Sequence, residues 1–131
     1  MSSNFEKVIE FSNTSNIPHH ETPQLNIFNE DPAKVKYRLS LIEEEVQELR
    51  DAIQEKNFTE VIDALSDILY VVYGAGSSFG IDLNKTFDIV HKSNMSKFCK
   101  SEKEAQETVE WYKKNDSRYD FPAYRKSTTC E

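Results

Sequence analysis

One apolar repeat limits the folds open to this chain more than any other feature. Between residues 35 and 53, apolar side chains recur at alternating intervals of four and three: Val35, Leu39, Ile42, Val46, Leu49 and Ile53. This spacing places them along one side of an α-helix and is typical of helices in bundles or at dimer contacts. Asp31 and Pro32, just before the repeat, match a helix N-cap followed by proline in the first turn. The repeat therefore predicts one long helix that begins at Asp31-Pro32.

Capping residues extend the helical prediction to most of the chain. A helix N-cap is often Ser, Asn or Asp, with Glu three residues later where a capping box forms. Four further helices are predicted to begin after such residues: Ser3, Asn57, Asp82 and Ser101. The helix after Asn57 should end at Gly80, because glycine is common just past a helix C-terminus.

These patterns predict a single all-α domain over residues 1–131, built as a bundle of four to five helices. The chain has only 3 Gly and 4 Pro, fewer turn residues than a sandwich or barrel of many short strands would need. Residues 14–31 show no sustained apolar period and predict a long loop, and residues 115–131 predict an irregular tail. In the helix after Asp82, we expect Leu83, Phe87 and Val90 to face the core.

The excess of acidic residues restricts the partners expected for this chain. The sequence holds 23 Asp and Glu against 16 Lys and Arg, a net charge of −7. This sign opposes binding to nucleic acid and to anionic membranes. No apolar run approaches the roughly 20 residues of a membrane-spanning helix, the N-terminus lacks the features of a secretion signal, and Cys99 and Cys130 lack the spacing of a metal site. We therefore expect a cytoplasmic protein with no nucleic-acid or membrane partner.

Most of the negative charge lies between residues 30 and 67, which hold 11 acidic and 5 basic side chains. The long helix carries three carboxylates on one shoulder of the apolar repeat: Glu44, Glu45 and Glu48. The next helix carries three more at helical spacing: Glu60, Asp63 and Asp67. Like charges at such intervals destabilise a helix, and Asp67 lies in an otherwise apolar run, where an unpaired carboxylate is costly. The two acidic stripes therefore predict a positively charged partner.

Packing of the two helices could bring these stripes together. In an antiparallel hairpin, four or five carboxylates would meet in a cluster that offers only oxygen ligands. Mg²⁺ and Mn²⁺ prefer such ligands, whereas zinc and copper prefer His and Cys. The alternative is a solvated polar face without a ligand, which is the usual role of acidic side chains on a helix. The sequence leaves both interpretations open.

The helix after Asp82 adds groups suited to phosphate. His91, Asn94 and Lys97 share one face at intervals of three, and charged donors bind phosphate oxygens strongly. The alternative is a solvated basic helix end. Carboxylates, a divalent cation and a lysine together meet the needs of polyphosphate hydrolysis, since the cation neutralises phosphate charge and activates water.

Several segments, in order and in combination, resemble one enzyme superfamily, the all-α nucleoside triphosphate pyrophosphohydrolases. Its EExxE motif is matched by Glu44-Glu45-Val46-Gln47-Glu48. Residues 63–74, 79–83 and 91–97 are similar to its phosphoribosyl-ATP pyrophosphohydrolase-like branch, related to MazG, and the resemblance extends over residues 4–98. It implies a MazG-like helical fold and Mg²⁺-dependent cleavage between the α and β phosphates of a nucleoside triphosphate. The products would be the monophosphate and pyrophosphate.

The resemblance also implies roles for individual residues. Glu45 and Glu48 would correspond to metal ligands, and Glu44 to a further ligand or to the base that activates water. Asn94 and Lys97 match the Asn-Met-Ser-Lys signature of the branch and would hold the triphosphate.

The second motif of the superfamily, ExxD, has two possible placements. Glu60 and Asp63 satisfy it literally, which makes Asp67 an additional carboxylate on the same face. An alignment anchored on Asp67 instead puts Ala64 where the glutamate should be. We prefer the first placement and take all three carboxylates of this helix as candidate metal ligands.

Arg38 and Tyr70 are candidate substrate-binding residues. Arg38 could contact phosphate, or it could pair with Asp31 or Glu45 on its own helix. Tyr70 could line the nucleotide pocket, or it could pack in the core with its hydroxyl group hydrogen-bonded.

The function expected from these residues is a Mg²⁺-dependent nucleoside triphosphate pyrophosphohydrolase that cleanses the pool of (d)NTPs. Two alternatives stay open: a non-catalytic helical oligomerisation module whose acidic face binds divalent ions or a protein, and a phosphoribosyl-ATP pyrophosphohydrolase. Because the superfamily builds its sites near subunit contacts, and because the apolar faces here are extensive, a homodimer or homotetramer is expected.

Overall fold

The computed structural model describes residues 2–98 and 102–115, and the regular elements in these ranges are all α-helices. They are α1 (Asn4–Thr14), α2 (Ile27–Glu30), α3 (Pro32–Gln54), α4 (Phe58–Phe79), α5 (Leu83–Ser96) and α6 (Glu102–Asn115). The predicted all-α class is confirmed. The described part of the chain contains one helix more than the four to five predicted, because a single turn, α2, forms inside the segment predicted as a loop.

The helices begin where the capping residues predict. Ser3 forms a full capping box with Glu6 at the start of α1. A side-chain oxygen of Asp31 accepts from the backbone N–H of Lys34 at 3.1 Å at the start of α3. Asn57 caps α4 and Asp82 caps α5 in the same way. These bonds satisfy backbone N–H groups that have no partner within the helix. The predicted cap Ser101 lies outside the described residues, as do Cys99, Cys130 and residues 116–131 of the predicted tail.

Helices α3 and α4 pack antiparallel and form the main pair of the fold. The pairing is visible at three levels: the side chain of Arg38 lies over Gly74, Glu45 lies beside Asp67, and Ala52 and Ala64 are both buried. Small residues at such crossings allow two helices to approach closely. The antiparallel hairpin expected from the sequence is therefore present.

Helix α1 covers the C-terminal half of α4 through aromatic contacts. The rings of Phe5 and Tyr73 lie 5.8 Å apart, and the rings of Phe11 and Tyr70 meet edge to face at 5.7 Å. Such pairs contribute beyond the area they bury. Tyr70 is nevertheless 42% exposed, so it borders solvent and is not a closed core residue.

The segment between α1 and α2 is fastened to the end of α4. The backbone N–H of His20 donates to the carbonyl of Ser77 at 3.0 Å, and that of Gln24 donates to the carbonyl of Phe79 at 2.9 Å. Gly80 ends α4 at φ +73°, and a Cβ there would overlap the carbonyl of Thr22. The long loop of the prediction is therefore a strap whose backbone groups pair with the helix.

The apolar repeat that predicts α3 is only half covered within one chain. Leu39 and Ile53 are 55% and 59% exposed, and Ile62 and Leu69 of α4 are 55% and 53% exposed. The residues buried most deeply between these helices are small or polar instead. Within the described residues, these side chains of the repeat are therefore left largely uncovered.

Two compact units divide the chain, Met1–Thr86 and Phe87–Glu131, and each is described by itself. Leu83 of the first unit lies over Gly76. The expectation that Phe87 and Val90 face the core is wrong, because they are 70% and 54% exposed. The single domain over residues 1–131 stays a prediction. Within the described ranges no single helix is long and apolar enough to cross a membrane, and α4 and α5 pass that test only when counted together across a sharp bend.

Candidate functional site

Three carboxylates from two helices meet at the centre of the α3–α4 pair. Glu45 and Glu48 lie nearly one turn apart on α3, and Asp67 faces them from α4. One carboxylate oxygen from each residue lies within 4.8 Å of the other two. The antiparallel register produces this meeting, because it places the middle of the acidic stripe on α3 beside the last carboxylate of the stripe on α4. We call these residues the carboxylate triad.

The carboxylate triad carries negative charge for which the described residues supply no ion-pair partner. Burial raises the pKa of the Glu45 carboxyl group above its ordinary value, and a hydrogen bond to Glu48 raises it further. Burial also raises the pKa of Asp67, with an added contribution from the negative charge of Asp63. Within residues 2–98 and 102–115, neither Lys nor Arg forms an ion pair with the triad. The charged triad therefore favours any bound positive partner.

The donor set of the triad fits a hard divalent cation. Glu45 Oε2 is buried and has no hydrogen-bond partner, a situation that costs free energy unless a ligand completes it. All the converging atoms are carboxylate oxygens, which Mg²⁺ and Mn²⁺ prefer. Glu45, Glu48 and Asp67 would hold the cation.

The other predicted carboxylates occupy different places. Asp63 is close enough that its charge raises the pKa of both Glu45 and Asp67. Glu60 is exposed and lies outside the triad, but it lines an adjoining acidic cavity of about 520 Å³ together with Asp63 and the triad member Glu48. Glu44 is exposed on α3 and does not belong to the triad. This geometry brings Asp67, and not Glu60, to the two glutamates of α3.

Arg38 stands on α3 two turns before Glu45. Its side chain is 9% exposed, and its Nε has no hydrogen-bond partner. The sequence allows an ion pair with Asp31 or Glu45, but no carboxylate of the described residues lies within ion-pair distance of this guanidinium. The alternative of a local ion pair is therefore wrong.

Arg38 and Tyr70 line one cleft of about 310 Å³, which is bounded by α1, α3 and α4. Sequence reasoning missed two further lining residues, Lys34 and Tyr37. Lys34 could have been found from its position in the sequence. It stands four residues before Arg38, on the face of α3 that also carries Glu45. Tyr37 falls beside that face, where the sequence pattern alone does not distinguish a lining residue from a solvated one.

Asn94 and Lys97 belong to the second unit, and there they lie together. Lys97 Nζ donates to Asn94 Oδ1 at 3.4 Å. In the first unit, His19 Nδ1 lies 2.7 Å from Ser77 Oγ, so this histidine of the segment predicted as a long loop helps to fasten the strap to α4.

Comparison with known proteins identifies the family. The sequence model described as phosphoribosyl-ATP pyrophosphohydrolase matches residues 4–94. "Uncharacterized protein L479" of Acanthamoeba polyphaga mimivirus is 45% identical over 100 residues, which are 75% of this chain and 40% of that protein. The chain therefore spans less than half the length of this relative. Since the family match covers most of the chain and includes the carboxylate triad, the chain belongs to the phosphoribosyl-ATP pyrophosphohydrolase family.

Proposed function

We propose that this protein is a Mg²⁺-dependent nucleoside triphosphate pyrophosphohydrolase, which cleaves between the α and β phosphates of (d)NTPs in the intracellular nucleotide pool. The observation that carries the proposal is the carboxylate triad, whose oxygens lie within 4.8 Å of one another on a segment matched by the family. A pyrophosphohydrolase acts on acid anhydrides, and the phosphate charge of such substrates calls for a bound cation.

The triad would hold Mg²⁺, or Mn²⁺ in its place. When bound, the cation supplies neutralisation of phosphate charge and lowers the pKa of water. Glu60 and Asp63 line the adjoining acidic cavity, so they are proposed as ligands of a further cation or as groups that orient the first ligands.

The protein's own groups complete the reaction. Water adds across the α–β anhydride, and its proton passes to a carboxylate, so that the products are a nucleoside monophosphate and pyrophosphate. Glu44 is proposed as the base, because its exposed carboxylate stands next to the triad without belonging to it. Asn94 and Lys97 are proposed to donate hydrogen bonds to the triphosphate.

A substrate panel tests this proposal. The protein would be incubated with Mg²⁺ and canonical or modified triphosphates, with phosphoribosyl-ATP included, and pyrophosphate release would be measured. Glu48→Gln should lower turnover by at least about tenfold, since it removes a charged ligand and the loss of groups that only orient such ligands already costs about 10–100-fold. Glu43→Gln is the matched control, because Glu43 is exposed on the same helix and outside the triad. Absence of pyrophosphate from every substrate contradicts the proposal.

The exposed apolar faces favour self-association as a homodimer or homotetramer. Side chains that are about half exposed follow α3 and α4 over several turns, among them Leu39, Ile53 and Leu69, and contiguous apolar patches of this kind mark interfaces. The same observation suits the rival function, a non-catalytic oligomerisation module. Titration of Mg²⁺ with and without a non-hydrolysable triphosphate separates the two, because only the enzyme couples the affinities of metal and nucleotide.

A further inference from the structure

The cleft that contains Arg38 has a charge opposite to that of the whole protein. The chain carries −7, yet none of the side chains lining this cleft is acidic and two are cationic, Lys34 and Arg38. Most of the remaining lining is apolar or aromatic, including Phe11, Tyr37 and Tyr70. The cleft is therefore suited to a flat, largely apolar group that carries hydrogen-bond acceptors.

The guanidinium of Arg38 has unused donors in this cleft. It is nine-tenths buried, its Nε has no hydrogen-bond partner, and no carboxylate of the described residues pairs with it. A buried charge without a partner is costly. An acceptor on a ligand would remove that cost, and the five N–H groups of arginine favour planar groups with acceptor atoms on one edge.

The aromatic side chains give the cleft flat walls. The centre of the Arg38 guanidinium lies 5.8 Å from the centroid of the Tyr37 ring. Tyr70 is held by its edge-to-face contact with Phe11. Aromatic walls of this kind stack on nucleobases, because every base presents a flat π-face.

The position of the cleft relates it to the carboxylate triad. Arg38 and Glu45 are seven residues apart, which places them on the same side of α3 and about 10 Å apart along the helix axis. On α4, Tyr70 and Gly74 follow Asp67 at three and seven residues, again on one side. A nucleoside can bridge such a separation, with its phosphates at the triad and its base in the cleft.

We propose that the cleft binds the base of the substrate and that Arg38 selects bases with a carbonyl oxygen on the edge that enters it. This inference rests on the proposed pyrophosphohydrolase function and names its substrate class: guanine, hypoxanthine, uracil and thymine nucleotides. Guanidinium and ammonium groups only donate hydrogen bonds. The amino group of adenine or cytosine also donates, so it would meet Arg38 donor to donor and leave both groups unpaired.

Two matched substrate pairs test the selection. dITP and dATP differ at the purine 6-position, keto against amino, and dUTP and dCTP differ in the same way at the pyrimidine 4-position. Initial rates of pyrophosphate release give kcat/KM for each. We expect the keto member of each pair to be preferred by at least tenfold, which is within the range that one good base contact provides.

Two variants connect the preference to Arg38. Arg38→Met removes the donors while keeping a long apolar side chain, and Arg38→Gln offers both a donor and an acceptor. Both should reduce the keto preference to less than threefold. Lys36→Met is the control, because Lys36 is exposed on α3 and does not line the cleft. Binding of dIMP and dAMP, measured by calorimetry, gives the same comparison without catalysis.

The outcomes separate this inference from the function on which it rests. If no triphosphate releases pyrophosphate, the proposed function fails. If pyrophosphate is released but wild-type kcat/KM is equal within each pair, the function stands and the base selection is overturned, and this comparison needs no variant to fold. If both Arg38 variants lower all four values equally and leave the ratios intact, Arg38 contacts a phosphate, and the selection is likewise overturned.

Discussion

The guanidinium of Arg38 lies directly over Gly74 of the neighbouring helix, so close that a Cβ added to this glycine would be 2.8 Å from Arg38 Nη1. The glycine thus provides the space in which the guanidinium rests. Because Nη1 is the far end of a flexible side chain, the arginine can move away when that space is filled, and the helix backbone need not.

The Gly74→Ala variant should therefore weaken the selection of keto bases without lowering the thermal stability of the protein. Alanine favours a helix interior over glycine by roughly 0.5–1 kcal/mol, so we expect an unchanged or higher melting temperature. The displaced guanidinium should weaken the preference for dITP over dATP. Thermal unfolding and the two kcat/KM values check this. Gly76→Ala is the contrast, since its Cβ would meet the Leu83 side chain and should destabilise the fold. A Gly74→Ala variant with undiminished preference would contradict the argument.

Arg38→Met should stabilise the protein in the absence of ligand. The variant replaces a buried, unpaired guanidinium with an apolar side chain of similar length, and it removes a desolvation cost on the order of 1 kcal/mol or more. Chemical denaturation with an unchanged m-value would measure the gain. A clear loss of stability would show that the guanidinium supports the fold by itself.

Mg²⁺ should raise the melting temperature, and a chelator should reverse the effect. A ligand that binds only the folded state stabilises by about 2.7 kcal/mol at a concentration 100 times its Kd. Asp67→Asn should abolish most of the shift, because Asp67 is the member of the triad supplied by α4. Glu43→Gln, on α3 outside both the triad and the acidic cavity, should keep it. If Mg²⁺ raised the melting temperatures of both variants equally, the triad would not be the site that binds the metal.

The free energy of unfolding should change with pH because Glu45 and Asp67 titrate differently in the folded and unfolded states. Burial raises the pKa of both carboxyl groups in the folded protein, so over the intervening pH range the folded state binds more protons than the unfolded state. Their contribution to metal-free stability is complete below the ordinary pKa values of 4.5 and 3.8. It is lost as the pH rises through the raised values.

A comparison of the free energies of unfolding of wild type and Glu45→Gln, measured over a pH series without metal, isolates this effect. The stability of the variant relative to wild type should increase as the pH rises from 4 to 7, because glutamine does not titrate. Mg²⁺ affinity of the wild type should increase over the same range, since the ligands must be deprotonated. A relative stability that does not change with pH would contradict the raised pKa of Glu45.

Self-association should depend on the apolar face of α4. Leu69→Glu places a charge on a side chain that is 53% exposed in one chain and should shift sedimentation toward the monomer. Leu25→Glu is the matched control, because Leu25 is 88% exposed outside the helices α3 and α4. If Leu69→Glu sediments like the wild type, the interface lies elsewhere.

The sequence predicts the helices well because their signals are local. Asp31, Asn57 and Asp82 cap the helices that they predict, since a cap depends on the three or four residues that follow it. The turn α2 was missed because a four-residue helix is too short to show an apolar period. Phe87 and Val90 were misplaced because an apolar stripe indicates burial without indicating what covers it.

The candidate site was only partly predictable, since it depends on the register between α3 and α4. In the sequence, Glu60 and Asp63 match the ExxD motif literally. In the structure, however, the packing of α3 against α4 brings Asp67 to Glu45. Likewise, the relation between Arg38 and Gly74 joins residues 36 positions apart. The helical period places each residue on a face, and only the packing shows which residues of two faces meet.

The strap between α1 and α2 bears on how this fold can be assembled. The last carbonyls of a helix have no partners within it, and here the N–H groups of His20 and Gln24 reach those of Ser77 and Phe79 from more than fifty residues earlier in the chain. The C-terminal end of α4 is therefore completed by a distant and earlier-synthesised segment. A fragment that retains these bonds must include His20 and Gln24 as well as α4, and forming them requires closure of a loop of more than fifty residues.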